Sequence, residues 1–294
     1  MAISEDINLP DSAGAIPDKV LQKVLSFPNM PQAGIKLRAL ISQEDVSVDE
    51  IEKILRHDPG LSANILRLAN SPFFGMPSKV TTLKRAIALV GLQRFSKIAV
   101  AASTSKILNP MVEGYGLSPG ELWLHSIAVS NTAEALAKNM NLDGMSDFYT
   151  PALLHDLGKL ALGEFVKAER TKIDSLVNSG VPVVFAEQEV LKTDHAEIGA
   201  LILSKWSFPD DLIKAVRWHH DPEGSEKSNL YADMVYLANL MCHSMDNSAP
   251  DNEELNRPYS SVLERLRIEP DQYPVLAEKA RSWMKKLSDS LSFD

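Results

Sequence analysis

His155 and Asp156 stand side by side in "ALLHDLGKL", Ala152 to Leu160, directly after an apolar run suited to a core. Burying an imidazole and a carboxylate is costly unless each finds a partner, so the pair calls for a metal ion or a hydrogen-bonding network. Five of the seven histidines, His125, His155, His195, His219 and His220, fall between positions 125 and 220; the others are His57 and His243. One histidine on an amphipathic helix is an ordinary half-buried or capping residue. Grouped with a carboxylate, histidines suit a divalent ion, with Fe, Mn, Zn, Ni or Mg as candidates. Neighbours on a helix diverge by about 100°, so His155 and Asp156 share an ion only if it lies over the line between them and other helices add ligands. His125, on the same helical face as Glu121, is one source, and His195 and the His219-His220 pair are others.

The elements that must position these residues read as helices. In "HDPGLSANILRLANSP", Asp58 is an N-cap with Pro59 at the first helical position, and Leu61, Ile65, Leu68 and Ala69 form one face. "TTLKRAIALVG" starts at a threonine cap and stops at Gly91, and "LQRFSKIAVAASTSKIL" resumes at once. A Gly/Pro-rich connector, "NPMVEGYGLSPG", separates two halves. Ser118 and Pro119 then cap and open a long helix to about Met140. Thr150 and Pro151 set up the helix carrying His155, which Gly158 is expected to end. Asp194 and Glu197 have capping-box spacing for a helix reaching Trp206. Pro209 opens "DDLIKAVRWHH", "LYADMVYLANLMCH" continues the pattern, and "PVLAEKARSWMKKLSDSL" forms a terminal amphipathic helix. "VPVVFAE" is the best period-two segment, and a helix start explains it equally well, so the expected architecture is all-α.

At 294 residues and 45% apolar, the chain holds one large domain or two small ones around a continuous core. The single cysteine, Cys242, excludes intramolecular disulfides, and the N-terminus lacks the basic start and apolar stretch of a secretory signal, which predicts a cytoplasmic protein. Apolar runs such as "AIALVGL" fall far short of the roughly 20 residues that span a bilayer, so no membrane association is expected. A net charge of −9 argues against nucleic acid as a partner. The charge is uneven, however. No acidic residue occurs between Asp58 and Glu113, while Arg67, Lys79, Lys84, Arg85, Arg94, Lys97 and Lys106 all lie there. These cations are either solvated helix faces or a positive surface for an acidic partner, and charge reversal at Arg94 and Lys97 is a test.

The order His125, His155-Asp156, His195, His219-His220 resembles the HD superfamily of metal-dependent phosphohydrolases, in which the His-Asp doublet binds metal. It is more similar to the HDOD branch (HD-related output domain). The resemblance covers about Ile16 to Met245 and rests on "HDPGLSANILRLANSPFFG", "LKRAIALVGLQRFSKIAV", "LWLHSIAVSNTAEALA", "PALLHDLGKLAL", "EQEVLKTDHAEIGALILSKWSFPDDLIKAVRWHH" and "VYLAN". It implies a multi-helix HD-domain-like bundle with an N-terminal helical half. The layout would be a flexible tail at 1–14, a domain over 15–247 split into 15–115 and 116–247, and a C-terminal helical extension at 248–294. The implied ligands are His125, His155, Asp156, His195, His219 and His220, with Glu121 and Asn239 as further candidates. By the same resemblance, His57-Asp58 belongs to a helix start away from the metal.

Two departures qualify the resemblance. Catalytic HD enzymes complete the shell with a last aspartate, and the matching position here is Asn239, a neutral ligand that cannot offset a divalent charge. After the paired histidines the Gly-Tyr-Pro signature of the cyclic-di-GMP phosphodiesterase branch is missing, so that activity is not expected. HDOD proteins are linked to bacterial signal transduction and are generally non-catalytic, which implies a module that contacts signalling proteins and keeps a residual metal site. The alternative is a phosphohydrolase acting on a nucleotide or another phosphate ester, with Lys159 as phosphate clamp. Lys159 could equally be a C-terminal helix lysine facing the dipole, His219-His220 could gain from a helix end, and Asp194 could be an N-cap alone.

Overall fold

The computed structural model describes residues 16–31, 37, 40, 47–56, 58–71, 74, 78–142, 147–225, 227–243 and 259–290. The expected tail at 1–14, His57, the side chain of His243 and residues 248–258 and 291–294 of the expected extension lie outside them. Among the described residues the regular structure is helical and no strand forms, so the chain is all-α; Val112 and Leu117 make one isolated antiparallel bridge. The chain divides into two compact units, Met1–Pro28 with Met111–Arg281, and Asn29–Pro110 with Ser282–Asp294.

In the second unit, helices α2 (Val48–Arg56), α3 (Pro59–Ala69), α4 (Leu83–Val90) and α5 (Leu92–Leu108) pack through small and branched side chains. The Asp58 carboxylate accepts the Leu61 N–H at 2.9 Å, and Leu61, Ile65, Leu68 and Ala69 are buried, as their spacing predicts. Thr82 caps α4 by accepting the Arg85 N–H, and Gly91, at φ 77°, ends it and lets α5 begin at once. On α5, Phe95 and Ile98 through Ala102 are buried, so alanines set a close approach to α3.

The first unit holds α1 (Asp18–Ser26), a 3₁₀ turn (Glu113–Tyr115), α6 (Glu121–Asn139), α7 (Tyr149–Leu154), α8 (Gly158–Ala168), α9 (Arg170–Asn178) and α10 (Val183–Leu191). It continues with α11 (His195–Lys205), α12 (Asp210–Arg217), α13 (Leu230–His243), α14 (Ser260–Arg265) and most of α15 (Gln272–Ser290). Helix α1 belongs here although the sequence groups it with the N-terminal half. Val20 and Val24 are buried, and Lys205 Nζ donates to the Leu25 and Phe27 carbonyls at 2.6 and 2.7 Å. Lys205 thereby satisfies carbonyls that the end of α1 leaves open. "VPVVFAE" is helical in α10, opened by Pro182.

Two boundaries differ from the expectation. Helix α6 opens at Glu121 because Gly120 is left-handed at φ 87°, and the Glu121 carboxylate turns back to accept the Ser118 N–H at 2.7 Å. The cap is thus the reverse of the one Ser118 and Pro119 suggest. Gly158 opens α8 instead of ending a helix. A Cβ there would lie 1.9 Å from the His195 carbonyl oxygen and 2.6 Å from the Gly199 nitrogen, so the glycine serves the close crossing of α8 and α11. His155 and Asp156 consequently occupy a tight turn between α7 and α8.

Candidate metal centre

Four segments of the first unit converge on Asp156, which is fully buried, as are His155, His195 and His219. Helix α7 delivers His155 at its C-cap, and α8 follows after Leu157. His195 is the first residue of α11, held there by Asp194, whose carboxylate accepts the Glu197 N–H at 2.7 Å. The Glu197 carboxylate in turn accepts from the Thr193 hydroxyl at 2.7 Å. His219 and His220 follow the Trp218 cap of α12, and half-buried His125 reaches in from α6.

Three rings share one orientation. His155 Nδ1 lies 2.7 Å from the Ala152 carbonyl and His219 Nδ1 lies 2.6 Å from the Val216 carbonyl. A carbonyl only accepts, so both rings donate from Nδ1 and a neutral ring turns its Nε2 lone pair inward. His195 does the same through Glu187, whose Oε2 accepts both its Nδ1–H at 2.7 Å and its backbone N–H at 2.8 Å. This is the outer-shell arrangement that orients metal-ligating histidines.

The inward atoms face Asp156. His155 Nε2 is 3.3 Å and His125 Nε2 3.6 Å from Oδ2, while His195 Nε2 is 3.4 Å and His219 Nε2 3.8 Å from Oδ1. His220 Nε2 lies 2.9 Å from His195 Nε2. Two groups result, each with its ligand atoms within 4.8 Å of one another: Asp156 with His195, His219 and His220, and Asp156 with His125 and His155. The structure thus brings together all six principal candidates. Glu121 is a correction: it is exposed and engaged in capping Ser118, because the helix starts at that very residue. Asn239 does join, its Oδ1 3.0 Å from His125 Nε2.

His155 Nε2, His219 Nε2 and Asp156 Oδ1 are buried without a hydrogen-bond partner. Acceptors that face one another in a dry interior repel unless a positive charge lies between them. Burial and the neighbouring His155 charge hold the His219 imidazole well below its ordinary range, and burial with His219 does the same for His220, so protonation of those rings does not supply it. Burial pushes the Asp156 carboxyl up, but His155 and Lys159 outweigh it and hold the group ionised, well below its ordinary range. An ionised carboxylate faced by the unpartnered Nε2 atoms of His155 and His219 fits a divalent ion; at His195 burial pulls the imidazole down, but Glu187 outweighs it and holds the ring above its ordinary range.

Lys159 and the outer partners complete the site. Lys159 is buried and donates to Asp156 Oδ2 at 2.8 Å. It stands in the first turn of α8, so the C-terminal dipole role does not apply, and it is engaged with a carboxylate rather than open to a phosphate. Sequence reasoning missed Glu187 and Tyr115. Glu187, fully buried on α10 between Ala186 and Leu191, carried a signal in being a charge on an apolar helical face. Tyr115, from the connector, meets the His195 ring edge-on at 6.1 Å, and Lys159 Nζ lies 5.6 Å over its face. It reaches there because Gly114 packs on the Gly163 backbone, where a Cβ would fall 2.1 Å from a carbonyl oxygen.

With this geometry described, comparison with known proteins gives its class. The HDOD domain model matches residues 27–222, and the chain belongs to the HDOD family. A crystal structure from Shewanella amazonensis SB2B, provisionally named a phosphohydrolase, aligns with a TM-score of 0.72 and 28% identity, covering 94% of this chain and 98% of that one. An HDOD domain protein of unknown function from Geobacter sulfurreducens shares the fold, with a TM-score of 0.75 and 20% identity over 93% of this chain and 98% of that one. A Treponema pallidum protein without assigned function is 23% identical over 92% of this chain but only 52% of its own length. A ribonuclease Y of Thermus thermophilus is 25% identical over 49% of this chain and 20% of its own length. The chain therefore spans about half or less of these curated relatives. Among the described residues no helix is long and apolar enough to cross a membrane.

Proposed function

We propose that the protein is a bacterial, cytoplasmic signal-transduction module that acts through protein contacts and holds a divalent ion at the Asp156 cluster without hydrolysing phosphoesters. The observation that carries this reading is enclosure: His155, Asp156, His195 and His219 each have 0% of their surface exposed. A phosphoester must reach the ion and an activated water, and of the six candidate ligands only His125 and His220 are partly open to solvent. A third crystal structure of the same fold, from Marinobacter aquaeolei VT8, is provisionally named a signal transduction protein; it aligns with a TM-score of 0.73 and 18% identity over 96% of this chain and 66% of that one.

Ligands to the ion are His195, His219, His220 and Asp156, with His125 and His155 beside them. When bound, the ion supplies Lewis acidity and structural cross-linking of α7, α11 and the segment after α12. The chain's own residues orient the rings and exclude water. Partner contact is assigned to the basic stretch from Arg67 to Lys106, where Arg67, Lys79, Lys84, Arg85, Arg94 and Lys106 are exposed.

A phosphohydrolase is the second reading, favoured by the inward lone pairs and by the name given to the Shewanella protein. The test is metal analysis of protein purified without an affinity tag, then hydrolysis assays on nucleotides and model phosphoesters with Mn, Fe or Mg. Bound metal with no turnover is expected. Turnover that His155→Ala abolishes would establish the hydrolase in its place.

A further inference from the structure

The two groups that share Asp156 are not equivalent. Around Oδ1, the carboxylate oxygen and His219 Nε2 are both without a partner, and His195 and His220 share a single contact between their Nε2 atoms. Around Oδ2, two of the three ligand atoms already have partners. Lys159 Nζ donates to Oδ2 at 2.8 Å, inside the distances of His155 and His125 to that same oxygen, 3.3 and 3.6 Å. His125 Nε2 is engaged by Asn239 Oδ1 at 3.0 Å. In this group His155 Nε2 alone lacks a hydrogen-bond partner among the described residues.

We infer that Lys159 is a tethered cation standing where a second metal ion would sit, so that the protein takes up one divalent ion per chain, at the Oδ1 group. This rests on the metal reading proposed above and deepens it.

Charge supports the assignment. Asp156, Glu187 and Asp194 are the buried carboxylates in and beside the cluster; Lys159 offsets Asp156 and Arg217, 3.5 Å away, offsets Asp194. One dication leaves a small positive excess on neutral imidazoles. A second would add two more charges among side chains that are fully buried, where desolvating each ion is costly. Asn239 belongs to the same logic. A carboxylate there would help to neutralise a second ion, and an amide instead leaves the lysine as the matching cation. Its ammonium has a fixed place under Tyr115 and beside Asp156, which a loosely held surface lysine would not have.

Stoichiometry measured by native mass spectrometry and elemental analysis after equilibration with Mn²⁺ or Zn²⁺ tests this. The wild-type chain is expected to bind about one ion, Asn239→Asp also about one, and Lys159→Met combined with Asn239→Asp about two. Should the double variant misfold by circular dichroism, Lys159→Met alone is expected to show a second, weaker class of site. Two ions on the wild type, or no second class in correctly folded Lys159→Met variants, would overturn the lysine assignment while leaving the metal reading intact. No ion on any form would overturn the metal reading itself and this inference with it.

Discussion

Asp156 shows how much a single carboxylate decides. Its Oδ1 faces His195 and His219 while its Oδ2 accepts from Lys159 and faces His155 and His125, so one buried charge organises rings from helices distant in the chain. Glu187 acts one step further out, fixing His195 so that Nε2 carries the lone pair. Glu187→Gln can present an amide N–H to Nδ1 where an acceptor is needed, which rotates or flips the ring. Metal affinity is expected to fall about 10- to 100-fold, the usual cost of losing an outer-shell partner. Competition with a chromogenic chelator measures it, and an unchanged Kd would show that Glu187 only fills space. From the sequence, the histidines and Asp156 were legible because imidazole and carboxylate are uncommon in an apolar context, whereas Asn239 was reached only through the family resemblance. Glu187 left only a faint signal, a charge on an apolar helical face, because a glutamate on a helix ordinarily reads as solvated, and Tyr115 left none.

At the level of elements, precision comes from glycine crossings and caps. The contact of α8 with α11 is made at Gly158 and Gly199, and it sets the distance between the Asp156 turn and His195. Gly158→Ala would place a methyl 1.9 Å from the His195 carbonyl oxygen, against backbone that cannot swing aside. A loss of about 3 kcal/mol or more is expected, at or above the upper end of ordinary overpacking. Urea unfolding of the metal-free protein measures it, and a midpoint within error of wild type would mean that the helices part easily. Caps on α3, α4 and α11 fall where Asp58, Thr82 and Asp194 predict. The break after His155 did not show in the pattern, because the apolar run passes through it with helical backbone angles and only the tertiary crossing makes Gly158 a beginning.

Across the whole molecule, charge is segregated along the chain. The overall charge is −9, yet positions 59–112 contain no acid. Not every cation there is suited to a binding test: Arg94 donates to the Phe74 carbonyl at 2.7 Å and Lys84 pairs with Asp49 at 2.7 Å. Lys79 and Arg85 are exposed and serve better. Charge reversal of both is expected to weaken capture of an acidic partner at least about 10-fold at low ionic strength, with the difference shrinking as salt rises. Equal recovery by the variant across a salt series would reduce the stretch to solubilising charge.

The sequence by itself determined the helical class, most caps and the identity of the metal-ligating candidates, because periodicity, capping chemistry and residue type act over a few neighbouring positions. That the Nε2 atoms of His125, His195 and His219 meet the two oxygens of Asp156, and that Asn239 joins them, was decided by tertiary structure alone. These depend on contacts between residues from some 30 to more than 100 positions apart, such as Gly158 with His195 and His125 with Asn239, and no local pattern encodes such distances.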